Sequence, residues 1–176
     1  MALETDIAEP FMARASTAEP NWDSVYAEQL PRVYNFFRYR VRDTAAAEDL
    51  TSQTFEKAWR ARHRYRRDLA GFATWLLAIA RNVAIDHRRS HREHAPLEHA
   101  AEIPAAGTPE DVQAHASDRE RLAVLIERLP DRDRELLALK YGAGATNRAI
   151  AEIMNLSESN VGTIIHRAVQ TLRRDW

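Results

Sequence analysis

Residues 72–92 read FATWLLAIARNVAIDHRRSHR, and this stretch decides the fold. On a helix at about 100° per residue, its apolar side chains form one broad face, made of Phe72, Trp75, Leu76, Ile79 and Val83. The opposite side carries the arginines, with Arg81, Arg88 and Arg92 in line and Asn82 and Arg89 at the edge. Because the apolar face must pack against other helices, we expect the arginines to point outward together.

A charged outer face usually does no more than meet solvent, but this one consists almost entirely of arginine. Phe72 and Trp75 lie where the helix begins. Guanidinium groups neutralise phosphates and aromatic rings stack on bases, so the combination favours contact with a nucleic-acid strand. Asp86 interrupts the apolar face and needs a partner, for which Arg89 is a candidate one turn on.

The composition excludes several classes of protein. The 176 residues contain no cysteine, which excludes disulfides and thiolate metal sites and fits a reducing cytosol. No apolar run is long enough to cross a membrane and the acidic N-terminus is unlike a signal peptide, so we expect a cytoplasmic protein without membrane insertion.

The net charge of −1 conceals an uneven distribution. Residues 61–94 contain eight arginines and three acidic residues, whereas residues 95–120 contain one arginine and six acidic residues. A basic block beside an acidic one indicates a local nucleic-acid patch rather than a uniformly basic binder.

The chain before residue 44 predicts a tail and a helix. Residues 1–20 contain two prolines and show little periodicity, which is typical of a flexible tail. From Asn21 or Asp23 as the cap, apolar residues recur at helical spacing as far as Phe37. Pro31 lies within this run and predicts either one bent helix or two short ones.

The next segment, TAAAEDLTSQTFEKAWRARHRY, predicts a helix from Thr44 with a polar ridge along it. Asp49, Gln53 and Lys57 recur every four residues and form this ridge. By itself such a ridge usually only faces solvent. The basic residues that follow predict a loop that ends at Gly71.

Residues 95–117 are rich in alanine, proline and acidic residues without a sustained period, which predicts a flexible acidic linker. Ser117 or Asp118 can cap a helix that continues to Leu129. The sequence LPD at 129–131 ends this helix and starts another, which runs to Tyr141.

The C-terminal segment predicts a helix-turn-helix. Residues 146–154 predict a short helix, residues 155–157 a turn with Ser157 as a cap, and the rest a longer helix. One face of that helix is apolar, with Val161, Ile164, Ile165, Ala168 and Leu172. In this motif the second helix enters the major groove. Because no strand-like alternation occurs, the fold is expected to be all-α.

With both ends in view, the chain resembles a bacterial RNA polymerase sigma factor of the extracytoplasmic-function group. AAAEDLTSQTFEKAWRARHRY resembles the segment that grips the polymerase clamp, and GFATWLLAIARNVAIDHRRSHRE resembles the segment that opens and reads the minus-ten element. LPDRDRELLALKYGAGATNRAIAEIMNLSESNVGTIIHRAVQTLRR resembles the domain that reads the minus-thirty-five element. The resemblance implies a tail (1–20), sigma region 2 (21–94), a linker (95–117) and sigma region 4 (118–176).

The resemblance also implies roles for matching residues. Core RNA polymerase would be bound by Asp49, Gln53 and Lys57. Minus-ten DNA, with a flipped-out base in the loop, would be bound by Arg62, Arg64, Tyr65, Arg66, Trp75, Arg81, Asn82, Arg88 and Arg89. Minus-thirty-five DNA would be bound by Ser159, Asn160, Thr163, His166, Arg167, Gln170 and Arg173.

The implied partners are core RNA polymerase, promoter DNA and, as a candidate, an anti-sigma factor. No cofactor and no catalysis are expected. Many relatives carry lysine or arginine in the last helix where this chain has Gly162 and Ile164, so its minus-thirty-five sequence does not follow from the resemblance.

Two other interpretations compete with this one. His87, His91 and His94 share one side of a helix at a spacing that zinc can use, but no HExxH motif or well-placed general base accompanies them. Solvated or phosphate-facing histidines are therefore the preferred interpretation. A helix-turn-helix regulator that is not a polymerase subunit is the other alternative, but it leaves the arginine face and the polar ridge unexplained.

Overall fold

The computed structural model describes the backbone of residues 21–41, 43–94 and 109–176, and the side chains of these except 91–94 and 109–116. The described part of the chain is helical and contains no β-strand. The all-α prediction is therefore confirmed. The predicted tail (1–20) and most of the predicted linker (95–108) lie outside the described residues.

The first helical unit, which we define as α1–α3, consists of α1 (Trp22–Arg40), α2 (Thr44–Arg60) and α3 (Phe72–His94). A 3₁₀ turn at Arg62–Arg64 follows α2. The three helices pack on one another around fully buried side chains, among them Val33, Phe36, Phe37, Leu76 and Val83. The apolar face predicted for residues 72–92 is thus the side of α3 that enters the core.

Helix α1 begins at the predicted cap and continues through its proline. The side chain of Asn21 accepts hydrogen bonds from the amides of Asp23 and Ser24. Pro31 lies inside the helix and is exposed, so water can bind the carbonyl that loses its amide partner there. One helix, not two, is therefore the correct alternative.

The second helical unit, α4–α7, consists of α4 (Pro109–Arg128), α5 (Asp131–Leu137), α6 (Asn147–Met154) and α7 (Glu158–Asp175). Helices α4, α5 and α6 all pack against α7. The prediction that this unit's first helix starts near Ser117 is wrong, because α4 begins at Pro109. Proline is favoured at the first position of a helix.

A π-helical turn at Ala138–Gly142 extends α5 and brings the two units together. The Ala143 amide donates to the Ala138 carbonyl at 2.9 Å, which closes the wider turn. The turn packs on α1, and α6 packs on α3, so the buried apolar residues of both units form one continuous core.

Candidate nucleic-acid and polymerase interface

The helix-turn-helix prediction is confirmed in its local geometry. Thr146 caps α6, and Asn155 ends it in the left-handed region with φ of 53°. The Ser157 hydroxyl then accepts from the Asn160 amide at 3.2 Å and caps α7. An asparagine at the left-handed position and a serine at the cap explain why two helices can join through so short a turn.

The polar side of α7 points entirely to solvent. Val161, Ile165 and Ala168 are buried beneath it. The structure brings every predicted minus-thirty-five residue to this exposed surface, namely Ser159, Asn160, Thr163, His166, Arg167, Gln170 and Arg173. Short polar side chains lie near the N-terminal end of the helix and arginines lie near its C-terminal end, which suits base edges and phosphates respectively.

The polar ridge of α2 is also exposed, but one of its members has a partner. Asp49 and Gln53 face solvent. Lys57 Nζ lies 3.4 Å from Asp86 Oδ2, with 51% and 61% of these side chains exposed. The partner of Asp86 is therefore Lys57 and not Arg89, and Asp86 lies at the surface rather than in the apolar face. This exposed pair is a weak one.

An aromatic cluster joins the loop after α2 to the start of α3. Tyr65 packs against Phe72 and Trp75, with ring centroids 5.3 and 5.2 Å apart. Trp22 meets Trp59 edge-on at 5.2 Å, and the Arg62 guanidinium lies 4.2 Å from the centroid of the Trp59 ring. Such contacts hold rings rigidly at a surface where bases can stack.

Trp22 and Trp59 also belong to this cluster, and neither was predicted from the sequence. Trp59 shares a face of α2 with Ala47, Thr51 and Phe55, which are buried, yet Trp59 itself is 48% exposed. The available signal was the position of Trp59 at the end of α2, three residues before Arg62. Of the residues predicted to bind minus-ten DNA, Tyr65 of the loop and Trp75 of α3 come together in the cluster, whereas Arg64 of the loop is exposed.

The loop also contains an exposed ion pair that the sequence analysis did not identify. Arg66 binds Asp68 with two hydrogen bonds, of 3.0 and 2.8 Å. This hydrogen bonding raises the pKa of Arg66 and lowers the pKa of Asp68. Asp68 therefore competes with any phosphate for Arg66.

The arginines of α3 do not all point outward. Asn82 and Arg89 are exposed as expected. Arg81 and Arg88 instead face α5, where Arg81 Nε lies 3.3 Å from Glu135 Oε1 and Arg88 pairs with Asp131. The expectation of a shared outward face is wrong for these two, because a second helical unit covers that side of α3. The side chain of Arg92 lies outside the described residues.

The zinc interpretation finds no support among the side chains that the structure describes. No three histidine, cysteine, aspartate or glutamate side chains come together there in a way that could hold a metal ion. The side chains of His91 and His94 are not among them. No helix in the described part of the chain is long and apolar enough to span a membrane.

Two family models match this chain. Sigma-70 region 2 matches residues 25–94, and sigma-70 region 4 matches residues 119–172. The first match covers α1 from Val25 to the end of α3 with the aromatic loop, and the second covers the second half of α4, α5 and the helix-turn-helix as far as residue 172. The fold and these surfaces therefore define a sigma-70-type protein with regions 2 and 4.

Individual relatives show to which group of sigma factors the chain belongs. SigM of Bacillus subtilis, an extracytoplasmic-function sigma factor, is 32% identical over 86% of this chain and 92% of its own length. BldN of Streptomyces coelicolor is 31% identical over 92% of this chain, which spans 62% of BldN. The chain belongs to the extracytoplasmic-function sigma factors, which direct promoter-specific transcription and are not a family of catalytic enzymes. The alternative of a separate regulator is not favoured.

Solved structures agree on the fold. The sigma factor RpoE of Bartonella quintana, solved with the anti-sigma factor NepR, has a TM-score of 0.70 at 22% identity and covers 88% of this chain and 95% of its own. CnrH, solved with the cytosolic domain of CnrY, has a TM-score of 0.65 at 20% identity over 87% of this chain and 85% of its own.

Proposed function

We propose that this chain binds core RNA polymerase through the ridge on α2, opens and reads the minus-ten element through the aromatic loop and α3, and reads the minus-thirty-five element through α7. One observation carries the proposal. Exposed groups of three different chemistries occupy three separate elements, of which α2 and the loop with α3 lie within the region 2 match and α7 lies largely within the region 4 match.

The minus-ten step needs both stacking and charge. Extruding a base from a duplex costs a few kcal/mol, which stacking and phosphate contacts must offset. Tyr65 and Trp75 supply aromatic surface, Arg62, Arg64 and Arg66 supply charge in the same loop, and Arg89 supplies charge further along α3. The chain acts in this way by binding alone, without a cofactor and without catalysing a reaction, in the cytoplasm where polymerase and chromosome lie.

Transcription in vitro tests the whole proposal. Core polymerase with this chain should produce transcripts from a genomic library of the organism that encodes it, and their start sites should share upstream elements. Core polymerase alone is the control. If the chain binds duplex DNA but never core polymerase, it is a separate regulator and the proposal fails.

The polymerase ridge has a sharper test. The double variant Asp49→Ala/Gln53→Ala should weaken binding to core polymerase and leave the helical circular dichroism unchanged. Glu48→Ala/Ser52→Ala is the matched control, because these residues are exposed on the same helix beside the ridge. Equal affinities of the two double variants for core polymerase would contradict the assignment.

We also infer that an anti-sigma factor binds this chain. The motive is that the sigma factor RpoE, which has a similar fold, was solved with the anti-sigma factor NepR, and CnrH was solved with the cytosolic domain of CnrY. A candidate should form a stoichiometric complex with the purified chain and compete with core polymerase for it. A candidate that binds without competing would not be an anti-sigma factor.

A further inference from the structure

Ion pairs between acidic residues of α5 and arginines of α1 and α3 hold the two helical units together. Asp131, the first residue of α5, pairs with Arg40 of α1 at 3.2 Å and also with Arg88 of α3. One turn later, Glu135 faces Arg81 of α3 at 3.3 Å. Only 6% of the Arg40 side chain and 6% of the Glu135 side chain are exposed. Glu135 is therefore buried against an arginine of the other unit, and Asp131, with 34% of its side chain exposed, pairs with two such arginines at the edge of the contact.

The chemistry of these pairs is that of a phosphate site. Arginine binds carboxylates and phosphates through the same fork of N–H donors. Arg81 and Arg88 are two of the residues assigned to the minus-ten strand, and the α5 carboxylates occupy them in this structure. Arg81 Nε and Glu135 Oε1 are close but lack the alignment of a hydrogen bond, so this pair is not an optimal one.

A close approach between the backbones of α1 and the π-helical turn forms a second part of the contact between the two units. A Cβ atom added at Gly142 in the π-helical turn would lie 2.9 Å from the Asn35 carbonyl oxygen of α1. Arg32 of α1 donates from Nε to the Ala143 carbonyl at 2.8 Å. Glycine at position 142 is therefore required for this approach, independently of the charges.

The packed arrangement cannot engage both promoter elements at once. Elements about 25 base pairs apart are separated by roughly 85 Å of B-form DNA, at about 3.4 Å per base pair. In this structure α6 of the helix-turn-helix lies directly against α3. The two units must therefore separate before one chain can read both elements. The residues between α3 and α4, 95–108, have a maximal reach of roughly 50 Å.

We propose that this contact is a self-inhibitory state of the chain alone, in which Asp131 and Glu135 act as an internal substitute for DNA phosphates on Arg81 and Arg88. This proposal rests on the proposed function, because it takes the α3 arginines to be DNA ligands. Binding of the polymerase or of melted DNA then has to displace α5. The closed population lowers the apparent DNA affinity by the fraction of chains that are open.

Two independent variants test the proposal in the purified full chain. Asp131→Asn/Glu135→Gln removes the charges and keeps the side-chain shapes. Gly142→Ala keeps every charge and introduces a steric block. Because the chain has no cysteine, Ser52→Cys on α2 and Glu152→Cys on α6 allow specific dye labelling and energy-transfer measurement of the distance between the units.

The expected result is the same for both variants. Energy transfer should fall relative to the parent, and affinity for a random-sequence single-stranded oligodeoxynucleotide should rise about tenfold if roughly one chain in ten is open in the parent. Asp133→Asn/Glu120→Gln is the control for charge, because it removes two carboxylates of the second unit other than Asp131 and Glu135, which make the ion pairs with α3 seen among the side chains that the structure describes. Gly162→Ala is the glycine control for energy transfer, since the nearest atom to an added Cβ there is 3.6 Å away.

Each outcome decides the question. The proposal would be overturned if the parent showed low energy transfer. It would also be overturned if the charge control gained as much affinity for the oligodeoxynucleotide as Asp131→Asn/Glu135→Gln does. If one variant loses its helical circular dichroism, the other carries the test. Transcription by the parent with core polymerase, together with unchanged oligonucleotide binding by both variants, would reject self-inhibition and leave the proposed function standing. Failure of the parent to bind core polymerase would reject the function itself.

Discussion

Helices α3 and α7 present the same pattern in sequence and meet different surroundings in the structure. Each has one apolar face in the core and one polar face assigned to DNA. The polar face of α7 is exposed along its length, whereas Arg81 and Arg88 of α3 face α5 and pair with its carboxylates, with 28% and 38% of their side chains exposed. Amphipathicity therefore identifies the side of a helix that avoids its own core, but it does not reveal whether another part of the chain covers that side.

The largest effect should come from the covered side. Glu135→Ala should lower the free energy of unfolding by about 2 kcal/mol, because Arg40 and Arg81 then lose the negative charge of Glu135. This value is smaller than is usual for breaking a buried ion pair, since 28% of the Arg81 side chain is exposed. Burial lowers the pKa of Arg40, and Glu135 opposes that effect. Urea denaturation gives the measurement. Gln170→Ala on exposed α7 is the reference and should change stability by less than about 0.5 kcal/mol. Equal losses of unfolding free energy in the two variants would contradict the difference between the covered side of α3 and exposed α7.

An effect of intermediate size is expected from the aromatic residues where α3 begins. Trp75→Ala in the holoenzyme should weaken open-complex formation by ~1–3 kcal/mol if its ring stacks on a base. Trp75 is half-buried and packs on Tyr65 and Phe72, so a purely structural role is the rival explanation. Normal promoter opening by the folded fraction, together with a large fall in melting temperature, would favour the structural role.

Along α7, the contrast is between reading bases and anchoring phosphates. Asn160→Ala should relax preference at one minus-thirty-five position, with a loss of ~1–3 kcal/mol for the preferred base if Asn160 makes a bidentate contact. Arg173→Ala should instead weaken binding to all sequences and reduce the salt slope by roughly 0.9. A randomised minus-thirty-five library at two salt concentrations separates them. The reverse outcome would mean that α7 docks in the opposite direction.

The smallest effect should come from a glycine on the open side. Gly162→Ala should stabilise the chain by about 1 kcal/mol, because alanine favours a helix and the nearest atom to the new Cβ, Asn147 Nδ2, is 3.6 Å away. Thermal melting measures the gain. At Gly142 the same substitution meets the Asn35 carbonyl and should destabilise the contact between the units. If alanine raised the melting temperature at both positions, the close approach at Gly142 would not persist in solution.

Features set by neighbours in sequence could be predicted. Periodicity identified the core side of α3 and α7, and side-chain chemistry identified Ser157 as a cap and Asn21 as one of two candidates. The start of α4 was predicted incorrectly because alanine and acidic residues are common to linkers and helices. Pro109 followed by two acidic residues was the signal that distinguishes them.

Features that depend on distant parts of the chain could not be predicted. In sequence, Glu135 is one charge among several in DRDRELL, and nothing local indicates that it is buried against α3. The contact of Trp22 with Trp59 likewise requires the packing of α1 on α2. The residue-level roles in polymerase and DNA binding stay predictions, because they concern partners outside the chain.

The distribution of tryptophans has a consequence for spectroscopy. Trp22, Trp59 and Trp75 all lie in the aromatic cluster around the loop, whereas Trp176 lies at the end of α7 with the Arg121 guanidinium 4.9 Å from its ring centroid. Intrinsic fluorescence from the cluster is therefore sensitive to the surroundings of the minus-ten loop, and replacing Trp176 with phenylalanine removes the only tryptophan of the second unit. Stopped-flow emission can then follow base capture in real time without an attached dye.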